Sequence, residues 1–154
     1  MPSRRDAIKM TDAEVDAYLN EGRKTLNVAT FNHDGSIHLV AMWFAMDGES
    51  PVFWTYNKSQ KIVNLQRDPR ITGMVETGDK YEELKGVELV GSGEVITDRD
   101  EIMRHGFQIA ERYFGDLGEA GRPFVEQTGA KRYLVRMHVD RVVSWDHTKL
   151  GGTY

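Results

Sequence analysis

The chain has no cysteine in its 154 residues, which removes disulfides, thiolate catalysis and cysteine-based zinc sites. Basic residues are in the minority, 20 Lys and Arg against 24 Asp and Glu for a formal net charge of −4. Nucleic-acid binding, which rests on an excess of cations, is therefore not expected. Long apolar runs are missing too: the longest, LVAMWFAM at 39–46, falls far short of the roughly 20 residues that cross a bilayer, so no membrane partner is expected. The opening MPSRRDAIKM carries two arginines but no apolar signal core, and a cytoplasmic location is the expectation. No Walker loop, H-E-x-x-H or G-x-S-x-G motif occurs. GSGEVI at 91–96 begins like a dinucleotide fingerprint but ends on Ile96 inside a strand pattern. His33, His38, His105, His138 and His147 are scattered without metal-ligand spacing, and no metal site is expected.

What is present fits one domain, with 40% hydrophobic and 29% charged residues. A single domain over 1–154 is expected, with a core at about 11–146 and a tail at 147–154. Thr11 followed by Glu14 is a capping box, and Gly22 a stop, for a short amphipathic helix. From Lys24 the apolar period shortens to two: KTLNVATF is a strand, Asp34-Gly35 a hairpin turn, and SIHLVAMWFAM the returning strand. Asp47-Gly48 turns the chain into VFWTY, after which Ser59 caps a helix to about Leu65, ended by Asp68-Pro69. RITGMVET and VELVGSGEVIT follow as strands, with a bulge or bend expected at Gly91 and Gly93. A helix from Thr97-Asp98 to Phe114, a short helix near RPFVEQTG, and two closing strands, RYLVRMHV and RVVSWD, complete the pattern. Short strands joined by tight turns, with a few helices between them, predict a mainly β protein built as a small barrel with helical insertions.

The segment YNKSQK contains a local conflict. Lys58 and Lys61 flank the first turn of the helix that Ser59 caps, where the helix dipole favours anions by roughly 0.3–1 kcal/mol. An anion resolves it: backbone N–H groups, a hydroxyl and two ammonium groups together make a phosphate site. A solvated loop with both lysines in water accounts for the same residues, so spacing alone leaves two readings. Phe53, Trp54, Thr55 and Tyr56 precede this segment and Met42, Trp43 and Phe44 lie on the strand before. An apolar wall beside a phosphate site suits an aromatic ring system with a phosphorylated tail, although about half of these aromatics are needed for the core.

HLVAMWF, VFWTYNKSQK and NLQRDPRITG, with Asn64-Leu65 and Asp68-Pro69-Arg70, carry a family likeness. The stretch from Lys24 to Glu76, and more loosely Thr11 to Trp145, resembles the split-barrel flavin and deazaflavin proteins related to pyridoxamine 5′-phosphate oxidase. The resemblance implies a six-stranded split β-barrel with helical insertions. It also implies a homodimer with a cofactor at the subunit interface and a small-molecule substrate. In the flavin mononucleotide (FMN) oxidases of the family, Arg and Lys stand where this chain has His38 and Trp43, and a further Arg where it has Gln60. Lys61 and Ser59 match the family's phosphate residues. The chain is more similar to the branch that binds the deazaflavin coenzyme F420. By that resemblance the ring lies along Val40, Ala41, Met42 and Trp43 and against Trp54 and Thr55, while Lys58, Ser59, Lys61 and Asn64 hold the phosphate and Arg70 serves the acidic tail.

The implied activity is hydride transfer from reduced F420 to a conjugated acceptor. An FMN oxidoreductase and a non-enzymatic carrier of flavin or deazaflavin remain the alternatives. Arg136-x-His138 has the spacing with which the oxidases hold pyridoxal phosphate, with both residues on one face of a strand. Trp145, His147 and Lys149 either complete a partner's pocket or belong to a frayed tail.

Overall fold

The computed structural model describes residues 1–152. Five helices, α1 (Arg4–Ile8), α2 (Asp12–Asn20), α3 (Gln60–Arg67), α4 (Arg99–Phe114) and α5 (Gly118–Gly129), accompany seven strands. These are β1 (Leu26–Phe31), β2 (Ile37–Met42), β3 (Ala45–Asp47), β4 (Ser50–Tyr56), β5 (Arg70–Thr77), β6 (Lys85–Ile96) and β7 (Arg132–Asp146). One antiparallel sheet runs in the order β2-β1-β5-β6-β7-β4-β3. The capping box forms as the residue pattern predicts: Glu14 N–H donates to the Thr11 hydroxyl and Thr11 N–H to the Glu14 carboxylate, each at 3.2 Å.

The two longest strands divide the sheet into its halves. β7 pairs with β6 along most of its length, and its N-terminal part also pairs with β4. Between Val90 and Gly91 the register shifts, because Gly91 faces Val139 and Val90 faces Arg141, leaving Asp140 over. A Cβ on Gly91 would stand 1.9 Å from the His138 carbonyl oxygen, so glycine is what allows the strands to approach at this bulge. The result is a split barrel with two cores. Leu26, Val28, Phe44, Phe53, Ile62, Leu65, Val135 and Met137 fill one, under α2 and α3. Val52, Trp54, Ile102, Ile109, Val125 and Leu134 fill the other, under α4 and α5.

Three expectations are corrected, and one element is added. The sheet has seven strands where the resemblance implied six, and SIHLVAMWFAM is two of them: at Phe44 the N–H donates to the Tyr113 hydroxyl (3.3 Å) and the carbonyl accepts from Arg112 Nη1 (3.1 Å), so α4 takes the place of a ladder partner. RYLVRMHV and RVVSWD are a single strand, since Asp140 is a bulge and not a turn. The helix near RPFVEQTG starts earlier, at Gly118. The N-terminal segment forms α1, closed by a second capping box between Ser3 and Asp6.

The tail does not fray over its described part. His147 N–H donates to the Leu84 carbonyl, its Nδ1 meets the Tyr81 carbonyl at 2.8 Å, and Lys149 donates to the Lys9 carbonyl and pairs with Glu14 at 2.8 Å. Residues 153 and 154 of the expected tail lie outside the described part.

Candidate functional site

The site is built on the turn from β4 into α3. Thr55 ends the inward row of β4, and its hydroxyl donates to Ser59 Oγ at 3.3 Å. Ser59 has extended backbone (φ −65°, ψ 158°) and caps α3 through a bond from the Ile62 N–H. Lys61, on the first turn, is 7% exposed. Among the described residues its ammonium has neither a hydrogen-bond partner nor an ion pair. Burial, and secondarily the charge of Arg132, hold its pKa below the ordinary lysine value. A lysine whose stem is buried and whose ammonium, still reached by solvent, lacks a carboxylate beside a helix N-terminus and two hydroxyls fits an anion site.

Two further groups belong to this neighbourhood. Arg132 pairs with Tyr56 across β4 and β7, donates from Nε to the Thr128 carbonyl (3.2 Å) and sits 5.3 Å from the Trp54 ring centroid. Burial lowers its pKa. His38 stands opposite Thr30 on β2, and its Nδ1 is buried without a partner. Burial and then the Lys61 charge lower the imidazole pKa. Neither residue was among the site candidates read from the sequence. His38 shares the inward row with Val40, which is a legible signal, whereas Arg132 reaches the site only through strand register.

The other predicted residues separate. Lys58 is exposed in the turn ahead of α3. Asn64 is fully buried and occupied: its Nδ2 donates to Thr30 Oγ1 (3.1 Å) and Asn32 Oδ1 (3.0 Å), and its Oδ1 accepts from Gln60 Nε2 (2.8 Å), tying α3 to β1. Val40 and Met42 face inward with His38, while Ala41 faces outward with Ile37 and Leu39. Trp43 follows β2 and stacks on Tyr113, with centroids 4.6 Å apart and planes 7° from parallel. Trp54 points away from α3 into the second core, where Gly106 and Gly129 make room for it. Arg70 forks onto Asp68, with Nη2 to Oδ2 at 2.6 Å, and lies 4.3 Å from the Phe31 ring centroid. The guanidinium holds the Asp68 carboxyl at about 2. The structure thus gathers Thr55, Ser59, Lys61 and His38, and sends Trp43, Trp54 and Arg70 to other surroundings.

Arg136 and His138 do share a face, where both meet Glu94. Arg136 is surrounded by Asp47 at 3.0 Å, Glu101 at 3.6 Å and Glu94 at 3.7 Å. With three carboxylates around one guanidinium, this cluster is a structural ion network that repels a phosphate. A cavity of about 550 Å³ between α2, the β3–β4 turn and β6–β7 carries Asp12, Asp16 and Glu49 on its lining and is no closer to an anion site. Among the described residues no cluster of His, Asp or Glu suits a metal ion, and no helix is long and apolar enough to cross a membrane.

The antiparallel sheet, its division at the β6–β7 bulge and the helix packed at the end of β4 define the split-barrel class. A family model described as pyridoxamine 5′-phosphate oxidase matches residues 11–146, and the chain belongs to that family. Its fold is similar to a conserved hypothetical protein, Rv2991, of Mycobacterium tuberculosis, at 39% identity and a TM-score of 0.92, covering 99% of this chain and 95% of that one. An F420 reductase is similar at 26% identity and a TM-score of 0.65, covering 82% and 94%. The haem storage protein HutZ of Vibrio cholerae shares the fold at 17% identity and a TM-score of 0.67, covering 86% and 94%. No curated protein sequence matches the chain.

Proposed function

We propose that this protein is an oxidoreductase that binds coenzyme F420 and serves hydride transfer to a small conjugated organic acceptor. The observation that carries the reading is Lys61: 7% exposed, cationic and without a counter-charge among the described residues. A ligand's negative group seated there would offset that charge. Similarity to an F420 reductase over most of both chains supports the deazaflavin, as does the loss of cationic side chains at Trp43 and Gln60 relative to FMN oxidases.

When bound, a reduced deazaflavin supplies hydride from its ring carbon. The chain's own contribution is placement. Lys61, Ser59 and the α3 N–H groups would anchor the phosphate, with Thr55 holding the Ser59 hydroxyl. The inward row of β2, with Val40 and Met42, would meet the ring. Among the described residues no acid–base pair stands beside Lys61, in keeping with chemistry carried by a cofactor. The family match favours FMN as the second reading.

The proposal includes a homodimer with the cofactor at its interface. Ile37 and Leu39 are 63% and 68% exposed on the outer row of β2. The register carries that row through Ala29 and Thr72 to Val90, an apolar face suited to a second copy. Fluorescence titration of the purified protein with F420 and with FMN tests the reading. Saturable, tighter binding of F420 supports it; preference for FMN moves the protein to the flavin branch, and binding of neither overturns it.

A further inference from the structure

His38 stands opposite Thr30, and Thr30 accepts the 3.1 Å hydrogen bond from Asn64 of α3. That chain of contacts sets the imidazole on the side of the sheet that faces α3, within the field of Lys61 on the first turn of the helix. Its Nδ1 is buried without a partner. The charged groups around this pocket are cations: Lys61 from α3, Arg67 from α3 with its Nη2 3.4 Å from Asn64 Oδ1, and, through Lys61, Arg132 from β7. The neighbours from β1 and α3, Thr30 and Asn64, are neutral. Among the described residues no carboxylate pairs with His38 or Lys61.

We propose that His38 is an anion-binding residue whose charge arrives with the ligand: an oxyanion seated against Lys61 draws a proton from solvent onto the imidazole. The inference rests on α3 being an anion site and is independent of which ring system the anion carries. In the free protein, burial and the Lys61 field keep the imidazole neutral at neutral pH. An oxyanion beside Lys61 offsets that field and offers the imidazolium a counter-charge. The only bond made is N–H, and the proton comes from water or buffer.

Linkage then sets the pH dependence. Between the imidazole pKa of the free protein and the higher one of the complex, affinity rises as pH falls, by at most about tenfold per pH unit. Outside that window it is flat.

The test is an NMR titration of the imidazoles in the wild-type protein, with His38 assigned through His38→Gln. Sulfate is the probe, since its own charge does not change across the range, and F420 is the second ligand. The expected result is an upward move of the His38 midpoint on saturation with sulfate, and a sulfate affinity that falls with rising pH in wild type but not in His38→Gln. An unmoved His38 midpoint while the Lys61 resonances respond overturns the inference, as does a pH slope that survives in His38→Gln, or sulfate that fails to perturb Lys61 at all. Proton coupling with sulfate but no binding of F420 upholds it and overturns the cofactor reading instead.

Discussion

Lys61→Met should make the free protein more stable and the ligand weaker. Methionine keeps an unbranched stem of similar length in the buried space and discards the ammonium. Burial depresses the folded-state pKa of Lys61, so folding disfavours its charged form. At pH below the depressed folded-state value that is a net cost, and it is relieved as pH rises through that value. Relieving it by mutation should add about 1 kcal/mol, within the range seen when functional-site residues are replaced by stabilising ones. For a chain of this size that raises Tm by roughly 2–4 °C. The advantage over wild type should shrink toward alkaline pH as wild-type Lys61 deprotonates.

The same substitution removes a charge-assisted contact of about 1.5–3 kcal/mol, a loss of roughly 10- to 150-fold in F420 affinity. Thermal melts across pH and fluorescence titrations measure the two effects on the same samples. Lys58→Met is the control: exposed in the turn, it should leave Tm unchanged. A Lys61→Met protein that melts lower than wild type and binds F420 unchanged would refute the reasoning, because Lys61 would then be a structural residue.

Asn64→Leu should destabilise the fold by about 2 kcal/mol in urea denaturation, since it strands Thr30, Asn32 and Gln60 in or beside a buried site. Gly106→Ala should cost about 1–3 kcal/mol in the same assay, because its Cβ would stand 2.3 Å from the Trp54 ring. Arg136→Gln leaves Asp47, Glu94 and Glu101 facing one another; it should lower Tm and leave the affinities for F420 and FMN unaltered, whereas a loss of affinity would return Arg136 to the ligand site. Ile37→Lys with Leu39→Lys should convert a homodimer into monomers by light scattering with the melt otherwise intact.

Local chemistry was legible where its partners are close in sequence. The Thr11–Glu14 capping box, the Asp34-Gly35 turn and the Ser59 cap each depend on residues within a few positions, and the folded chain has all three. Gly91 signalled a bulge because a β-strand rarely tolerates glycine without reason. What could not be read depends on distant residues. β2 stops before Trp43 because Tyr113 and Arg112 claim Phe44, and Trp54 turns away from α3 because Gly106 and Gly129 open a space for it. Alternation along β4 allows Trp54 either face, and only the helices on the far side of the sheet decide between them. The anion site divides in the same way: Ser59 and Lys61 follow from one turn of helix, while Arg132 depends on the pairing of β4 with β7.

The most direct measurement is a crystal structure of the protein with oxidised F420. The account predicts the phosphate within hydrogen-bond distance of Lys61 Nζ and Ser59, at the start of α3, with the ring along the inward row of β2. A phosphate bound elsewhere, with the Lys61 ammonium still lacking a counter-charge, would contradict it.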